Sequence, residues 1–381
     1  MLQLRFPIYQ LFIWCFLLVF LNQACQSAPE QNQNSPKNPT VQISYAELFN
    51  VKQFKDYTLV SIFNKNDTTN PILQYALVKN LATSVRENNC VKIQVPIKEV
   101  ACLATPHAAL FTALGSTAKV KGIAGSQYTT NDSLLAQISK GLTEEIGTAN
   151  GEVNMESLIK LSPTVVTLYQ QSLIEKMKAV GLTPLLIKEY EENTPLARAE
   201  WIKLIGLLID QPEAANQLFA EVAQNYNDLK AKAQVVSSQP TVFSNIPYGN
   251  VWYMPANNSF PAHYWKDAGA NFVWADQNGT GTMPLSIEQV IDKAHKATFW
   301  LNVGSYTTLQ DLLALDKRFH NFEAVQKQQV FNAVQKTSAQ GGNAYTELGM
   351  IRPDWVLKDL VKIFHPELLP KHEFIFYKQL K

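Results

Sequence analysis

Two stretches of this chain repeat one another on either side of a long helical pattern. Asn154-Met-Glu-Ser-Leu-Ile-Lys-Leu-Ser-Pro-Thr-Val-Val-Thr-Leu aligns with Ser286-Ile-Glu-Gln-Val-Ile-Asp-Lys-Ala-His-Lys-Ala-Thr-Phe-Trp. Each gives a capping residue, an apolar residue, a Glu, a short amphipathic helix and a buried strand. A shorter echo sets Ala113-Leu-Gly115 against Asp267-Ala-Gly269. Between the copies, Asp210 and Pro212 open a helix that runs to about Ala233, with Ala215, Leu218, Phe219, Val222, Tyr226 and Leu229 on one face. About 22 residues span roughly 33 Å, enough to cross between two lobes. A lobe duplicated across one stiff helix leaves a cleft between the copies, where ligands bind preferentially.

The rest of the chain fits that plan. Residues 91–95 alternate as a strand, Pro96 begins a turn, and 100–104 form a buried strand. Thr105-Pro106-His107 then opens a helix over 106–114, with Pro in the first turn and Gly115 just past the end. Strands at 120–125, 165–168 and 185–187 alternate with helices at 131–140, 155–161 and 173–180. After Pro240 the pattern resumes, with strands at 241–244, 297–303 and 329–332 and helices at 260–268, 286–292 and 354–364. Such alternation implies an α/β fold with mostly parallel sheets. The expected architecture is two Rossmann-like α/β lobes, residues 41–195 and 237–381, joined by a connecting helical region at 196–236. The opening segment 41–90 carries an apolar run at 57–63 and a helical stretch at 71–85, and reads as an added subdomain or edge hairpin.

The N-terminus is an address. Arg5 precedes an apolar run over 6–21, then Asn22, Gln23, Ala24 and Cys25. One positive charge, an apolar core and a small residue at the break read as a secretory signal. Ala24 followed directly by Cys25 resembles a bacterial lipobox, so residues 1–24 are expected to be removed and Cys25 lipidated. The run is shorter than the roughly 20 residues a membrane span requires. Residues 25–40 are polar and Pro-rich, a disordered tether that cannot bury a core. The folded part is therefore expected outside a membrane, held to it by lipid.

With a net charge of +1, nothing argues for a nucleic-acid surface or an acidic polymer as partner. Four cysteines occur, with no CxxC pair. Cys15 and Cys25 belong to the leader. If residues 91–104 form a hairpin about Pro96, Cys90 and Cys102 face each other and can form a disulfide. Two buried free thiols are the other reading.

Several further blocks, taken in order, carry a resemblance. They are Val95-Pro96-Ile-Lys-Glu-Val, the Thr105-Pro106-His107 helix start, Leu114-Gly115, Gly122-Ile-Ala, Gly141-Leu-Thr-Glu-Glu-Ile-Gly and the Asn154 block. Pro284-Leu-Ser-Ile-Glu288, Phe322-Glu-Ala-Val-Gln, Pro353-Asp-Trp-Val-Leu-Lys-Asp-Leu and Ile363-Phe-His365-Pro366-Glu-Leu complete the series. Their order and spacing over residues 92–369 resemble the class III periplasmic binding proteins, which deliver vitamin B12, ferric siderophores or haem to ABC importers.

The resemblance implies an extracytoplasmic solute-binding lipoprotein, on the periplasmic side of the inner membrane or at the cell surface, acting as a monomer. Its partners would be an ABC permease dimer with its ATPase. The ligand would be an iron complex of the ferric siderophore type first, a corrinoid second, haem third. No cofactor is implied beyond the metal inside that ligand. Glu156 and Glu288 match the lobe-tip carboxylates that pair with permease arginines. A first-turn Glu is also favoured by the helix dipole alone, by ~0.3–1 kcal/mol.

Candidate ligand residues follow from loop positions. Tyr128, Trp252, Tyr253 and Phe260 come after strands, where α/β lobes face their crevice, and flat aromatic faces suit corrin, porphyrin or catecholate rings. Thr105 and His107 sit at a helix start aimed at the cleft, with His107 able to ligate a metal. Tyr345 and Arg352 precede the last helix, in a region that the resemblance implies lines the cleft; Arg352 suits an anionic group and Tyr345 a haem iron. Trp265 and Trp274 read as core. An enzyme would need Glu144, Glu145, Glu156 or Glu288 as a glycosidic acid and base, but no nucleophile elbow, HExxH or Walker motif is present. A surface lipoprotein without a transport role is the remaining alternative.

Overall fold

The computed structural model describes residues 41–148 and 152–381. The expected signal, Cys15, Cys25 and the tether lie outside the described residues. The described residues form one compact unit.

Strands β5 (Val100–Cys102), β6 (Val120–Ile123), β7 (Glu144–Glu145), β8 (Val165–Leu168) and β9 (Pro184–Leu186) form a parallel sheet in the order β7-β6-β5-β8-β9. β5 and β8 are buried at every residue, as strands covered by helices on both faces must be. In the second half, β10 (Thr241–Ser244), β11 (Pro247–Tyr248), β12 (Val251–Pro255), β13 (Asn271–Phe272), β14 (Thr282–Leu285), β15 (Phe299–Leu301), β16 (Val330–Asn332) and β17 (Lys378–Gln379) make two sheets. One has the order β13-β10-β15-β16-β17, parallel except for β17; the other is the antiparallel sheet β11-β12-β14.

The two large sheets share a plan. In each, the first strand is flanked on one side by the second strand. On the other side lies the strand that follows the repeated helix, β8 after Met155–Leu161 and β15 after Ile287–Ala294. Both repeated helices are capped alike, the side chains of Asn154 and Ser286 accepting from the third helical N–H. The sequence echo is thus a duplicated topology.

The long helix spans Pro212–Gln234, with Ala215, Phe219, Val222, Tyr226 and Leu229 buried. It packs against the helices Ile202–Leu208 and Pro353–Phe364, one from each side of the chain. Gly206 permits the first of these approaches: a Cβ there would lie 2.5 Å from the Ala215 Cβ.

The opening segment differs from expectation. It is a four-stranded sheet of β1 (Phe49–Gln53), β2 (Tyr57–Ile62), β3 (Leu73–Val78) and β4 (Val91–Gln94), with β4 parallel to β3. The expected helix at 71–85 is β3, whose Tyr75, Ala76, Leu77 and Val78 are all buried. A strand covered on both faces loses its alternation, so periodicity cannot separate it from a helix. Val60, Ile62, Tyr75, Leu77 and Ile93 join the core of the first lobe. The hydroxyl of Tyr75 accepts from Leu186 N–H at 2.7 Å.

Two buried carboxylates fasten the segment's start. Glu200 accepts from the N–H groups of Ser44, Tyr45 and Ala46 and pairs with Lys203 at 2.7 Å. Glu192 accepts from Glu47 N–H, Leu48 N–H and Trp201 Nε1–H.

The hairpin about Pro96 does not exist: β4 and β5 belong to different sheets. Cys90 and Cys102 are therefore both free, which corrects the disulfide expectation. The Cys90 thiol donates to Glu87 O at 3.3 Å, and burial pushes the Cys102 thiol up to about 12. In a non-reduced, denatured sample of residues 41–381, both thiols are expected to react with a maleimide, and in the native state Cys102 to stay protected. Recovery of no thiols under denaturation would contradict this topology.

Candidate functional site

A cleft of about 580 Å³ opens at the C-terminal ends of the second lobe's parallel strands, where α/β sheets place their ligands. Asn245 follows β10, Asn302 follows β15, and Asn332 ends β16; all three line it. Asn245 and Asn302 hold the left-handed backbone, at φ of 66° and 56°, a conformation that asparagine tolerates. Their amides are engaged. Asn245 Nδ2 donates to Tyr253 O at 2.8 Å, Asn302 Oδ1 accepts from the Tyr377 hydroxyl at 3.0 Å, and Asn332 Nδ2 donates to Gly304 O and Tyr306 O. These asparagines shape the floor.

The facing wall brings together Ser259, Phe260 and Pro261 at one helix start, Tyr345 near another, and Arg198 from the crossing between lobes. Arg198 sits on the helix Pro195–Glu200. Its guanidinium lies 3.5 Å from the centre of the Phe260 ring, a cation–π stack. Nε donates to Glu192 O and Nη2 to Tyr190 O. Burial lowers its pKa, with Glu189 and Tyr345 opposing; an arginine so placed stays charged. Burial raises the Tyr345 phenol, and Arg198 pulls it partly back. The lining contains no carboxylate and no imidazole. Among the described residues, no group of three His, Cys, Asp or Glu side chains is placed to hold a metal ion.

Of the expected ligand residues, Phe260 and Tyr345 line this cleft. Tyr253 is exposed beside Asn245 without lining it. Thr105 is half-buried as the first residue of its helix. The carbonyl of Tyr128 lies hard against Gly342 and Gln127 O accepts from Ser338 Oγ at 3.0 Å, so this turn forms a lobe-to-lobe contact instead. A second such contact is Thr130, whose N–H and hydroxyl both donate to the buried Glu347 at 2.7 and 2.5 Å.

Three candidates are corrected outright. His107 is buried in the first lobe, Nδ1 3.2 Å from Thr167 Oγ1 and Nε2 3.4 Å from Glu189 Oε2. Trp252 is fully buried, donates to Ser244 O, and stacks among Phe243, Trp300, Phe319 and Phe322. Strand alternation turns it inward and Tyr253 outward. Arg352 lies over Trp355 and pairs with Asp354 and Glu221, away from the cleft. Trp265 and Trp274 are buried. Arg198 escaped the sequence reading because it follows no strand of the repeat, and Ser259 because only its burial without a partner marks it.

Glu156 and Glu288 occupy the same place, in the first turn of the two repeated helices, and both are exposed. Glu288 pairs with Arg318 at 2.6 Å, and its own backbone N–H and Arg318 hold its carboxyl below the usual range. Glu145 accepts from Gly125, Ser126 and Gly147 N–H, which fixes a loop. No helix among the described residues is long and apolar enough to cross a membrane.

Residues 100–337, more than half of the chain, match the sequence profile of the periplasmic binding protein family. Two uncharacterized lipoproteins of Methanocaldococcus jannaschii are similar over nearly their whole length. One is 25% identical over 96% of this chain and 94% of its own, the other 24% identical over 91% and 89%. Among solved structures, a possible iron-binding periplasmic protein of Staphylococcus epidermidis superposes with a TM-score of 0.56 at 17% identity, over 71% of this chain and 99% of that one. The vitamin B12 binding protein of Vibrio cholerae gives 0.52 at 16% identity, over 73% and 99%. A haem-binding protein of Roseiflexus gives 0.53 at 17% identity, over 71% and 98%. At these identities the likeness is one of fold.

Proposed function

Because the chain belongs to the periplasmic binding protein family, we propose that it is the lipid-anchored, extracytoplasmic receptor of an ABC importer and that it captures a whole iron chelate of the ferric siderophore type. The observation that carries this reading is the lining of the cleft: aromatic rings, hydroxyls, amides and one arginine, with no carboxylate or imidazole. Such a wall offers a bare ferric ion a single phenol, Tyr345, with no carboxylate or imidazole beside it, but suits a complex whose metal is already enclosed. Lipidation at Cys25 is supported by the leader and by relatives described as lipoproteins. The metal would arrive and leave inside the ligand. The loaded lobes would then dock on a permease dimer driven by its ATPase. A stiff connecting helix limits hinge opening, so the cleft is largely formed before ligand arrives.

A corrinoid is the second reading, favoured by the shared fold of a vitamin B12 binding protein. Tryptophan fluorescence separates the two. Trp300 Nε1 donates to the carbonyl of Asn245, which lines the cleft, so occupancy is expected to perturb its emission. Titration of residues 41–381 with ferric siderophores, cobalamin, cobinamide and haemin should give one saturable, submicromolar response, from a ferric siderophore. A response to cobalamin alone would select the second reading, and silence across the panel would remove both.

A further inference from the structure

We propose that the corner where Arg198, Ser259 and the start of the helix Phe260–Asp267 meet is a subsite for a carboxylate carried by the ligand; this deepens the chelate reading and rests on it. Two of the guanidinium's five donors are used, on Glu192 O and Tyr190 O. Among the described residues, no carboxylate lies within 4 Å of Arg198. Glu189 is turned to His107, and Glu192 is occupied by backbone N–H groups and Trp201. A half-buried cation without a direct counter-ion is costly unless an anion joins it. Stacking on Phe260 fixes the plane of the guanidinium, and so the edge along which a carboxylate would be held by paired bonds.

Ser259 supplies an independent observation. It is the N-cap residue of the eight-residue helix, yet its hydroxyl makes no capping bond. The residue is 4% exposed, lines the cleft, and its Oγ is without a partner. A buried hydroxyl is rarely left so. In that first turn Pro261 has no N–H and the His263 N–H is bonded to Ser259 O, which leaves the Ala262 N–H, the donor a capping oxygen would satisfy, for another acceptor, and the helix dipole favours negative charge there. Cation, hydroxyl and helix start therefore converge on one class of group, an oxyanion.

The test compares ligand pairs that differ in acidic groups, on the full chain purified in detergent. The pairs are ferric citrate with ferrichrome, and haemin with its dimethyl ester; iron-free citrate is followed separately by thermal shift. The acidic member is expected to bind at least about tenfold tighter. Arg198→Gln should remove that preference, and Arg198→Lys should restore part of it. Ser259→Ala should weaken only the acidic member, with the melting temperature of the empty protein unchanged; it keeps the question answerable if Arg198→Gln fails to fold. Equal affinities within the pairs, or variants that weaken both members alike, would overturn the subsite and leave the chelate reading intact. Stabilisation by citrate in the wild type but not in the Ser259 variant, with no chelate bound, would keep the subsite and sink the chelate reading. Silence to citrate and to every chelate would overturn both.

Discussion

Reversing Glu156 and Glu288 together to lysine is expected to lower ligand uptake more than about 100-fold while leaving ligand affinity unchanged. Both side chains are exposed, stand in the first turn of matching helices, and line no part of the cleft. Two equivalent charges on duplicated lobes suit a two-fold permease. A close charge pair across an interface contributes upwards of about 1.5 kcal/mol, and two reversed pairs multiply. Stability should change little, since both side chains are exposed: each replacement forfeits a helix-dipole contribution, and that of Glu288 an exposed ion pair with Arg318 as well. The two single variants should be unequal, because Glu288 also holds Arg318 while no ion pair among the described residues involves Glu156. Uptake and affinity measured on the same variants settle the matter: lost affinity would move these residues into the cleft or the folding problem, and intact uptake would place the docking surface elsewhere.

The second large effect is on stability. Glu200→Ala is expected to destabilise the protein by about 3–5 kcal/mol, the cost of breaking a buried pair by removing one partner. The carboxylate is fully buried. It binds the N–H groups of Ser44, Tyr45 and Ala46 and the Lys203 ammonium, so its loss strands a charge and three donors at once. The midpoint of urea unfolding reads the change, provided the slope is preserved. Protease sensitivity should rise first in the opening segment. A loss below about 1 kcal/mol would mean that the segment is held by its apolar face alone.

The duplicated architecture was legible because it rests on local signals. Caps, apolar spacing and the repeated Glu made the helices Met155–Leu161 and Ile287–Ala294 visible as partners, and the long helix carried its own amphipathic face. The opening sheet was not legible. β3 is buried on both faces, and β4 pairs with it across an intervening loop, so neither alternation nor adjacency betrayed the pairing. The site was half legible. Phe260 follows a position rule that holds for α/β crevices, and Tyr345 was implied by the family resemblance. Trp252 and His107 satisfied similar rules yet turned into the core, where Trp252 donates to Ser244 O and His107 Nδ1 pairs with Thr167 Oγ1. Which side of a short strand or helix faces the cleft depends on long-range packing. Arg198 shows the converse. It lies on a connecting helix with no strand before it, and only the fold brings it over Phe260.

The most direct test of a cleft that takes a whole chelate is anomalous diffraction at the iron edge, from crystals of residues 41–381 grown with a ferric siderophore. The account predicts one iron peak inside the cleft bounded by Arg198, Phe260 and Tyr345, with every atom in the metal's coordination sphere supplied by the ligand. Iron coordinated by protein carboxylates or imidazoles, or a peak outside that cleft, would contradict it.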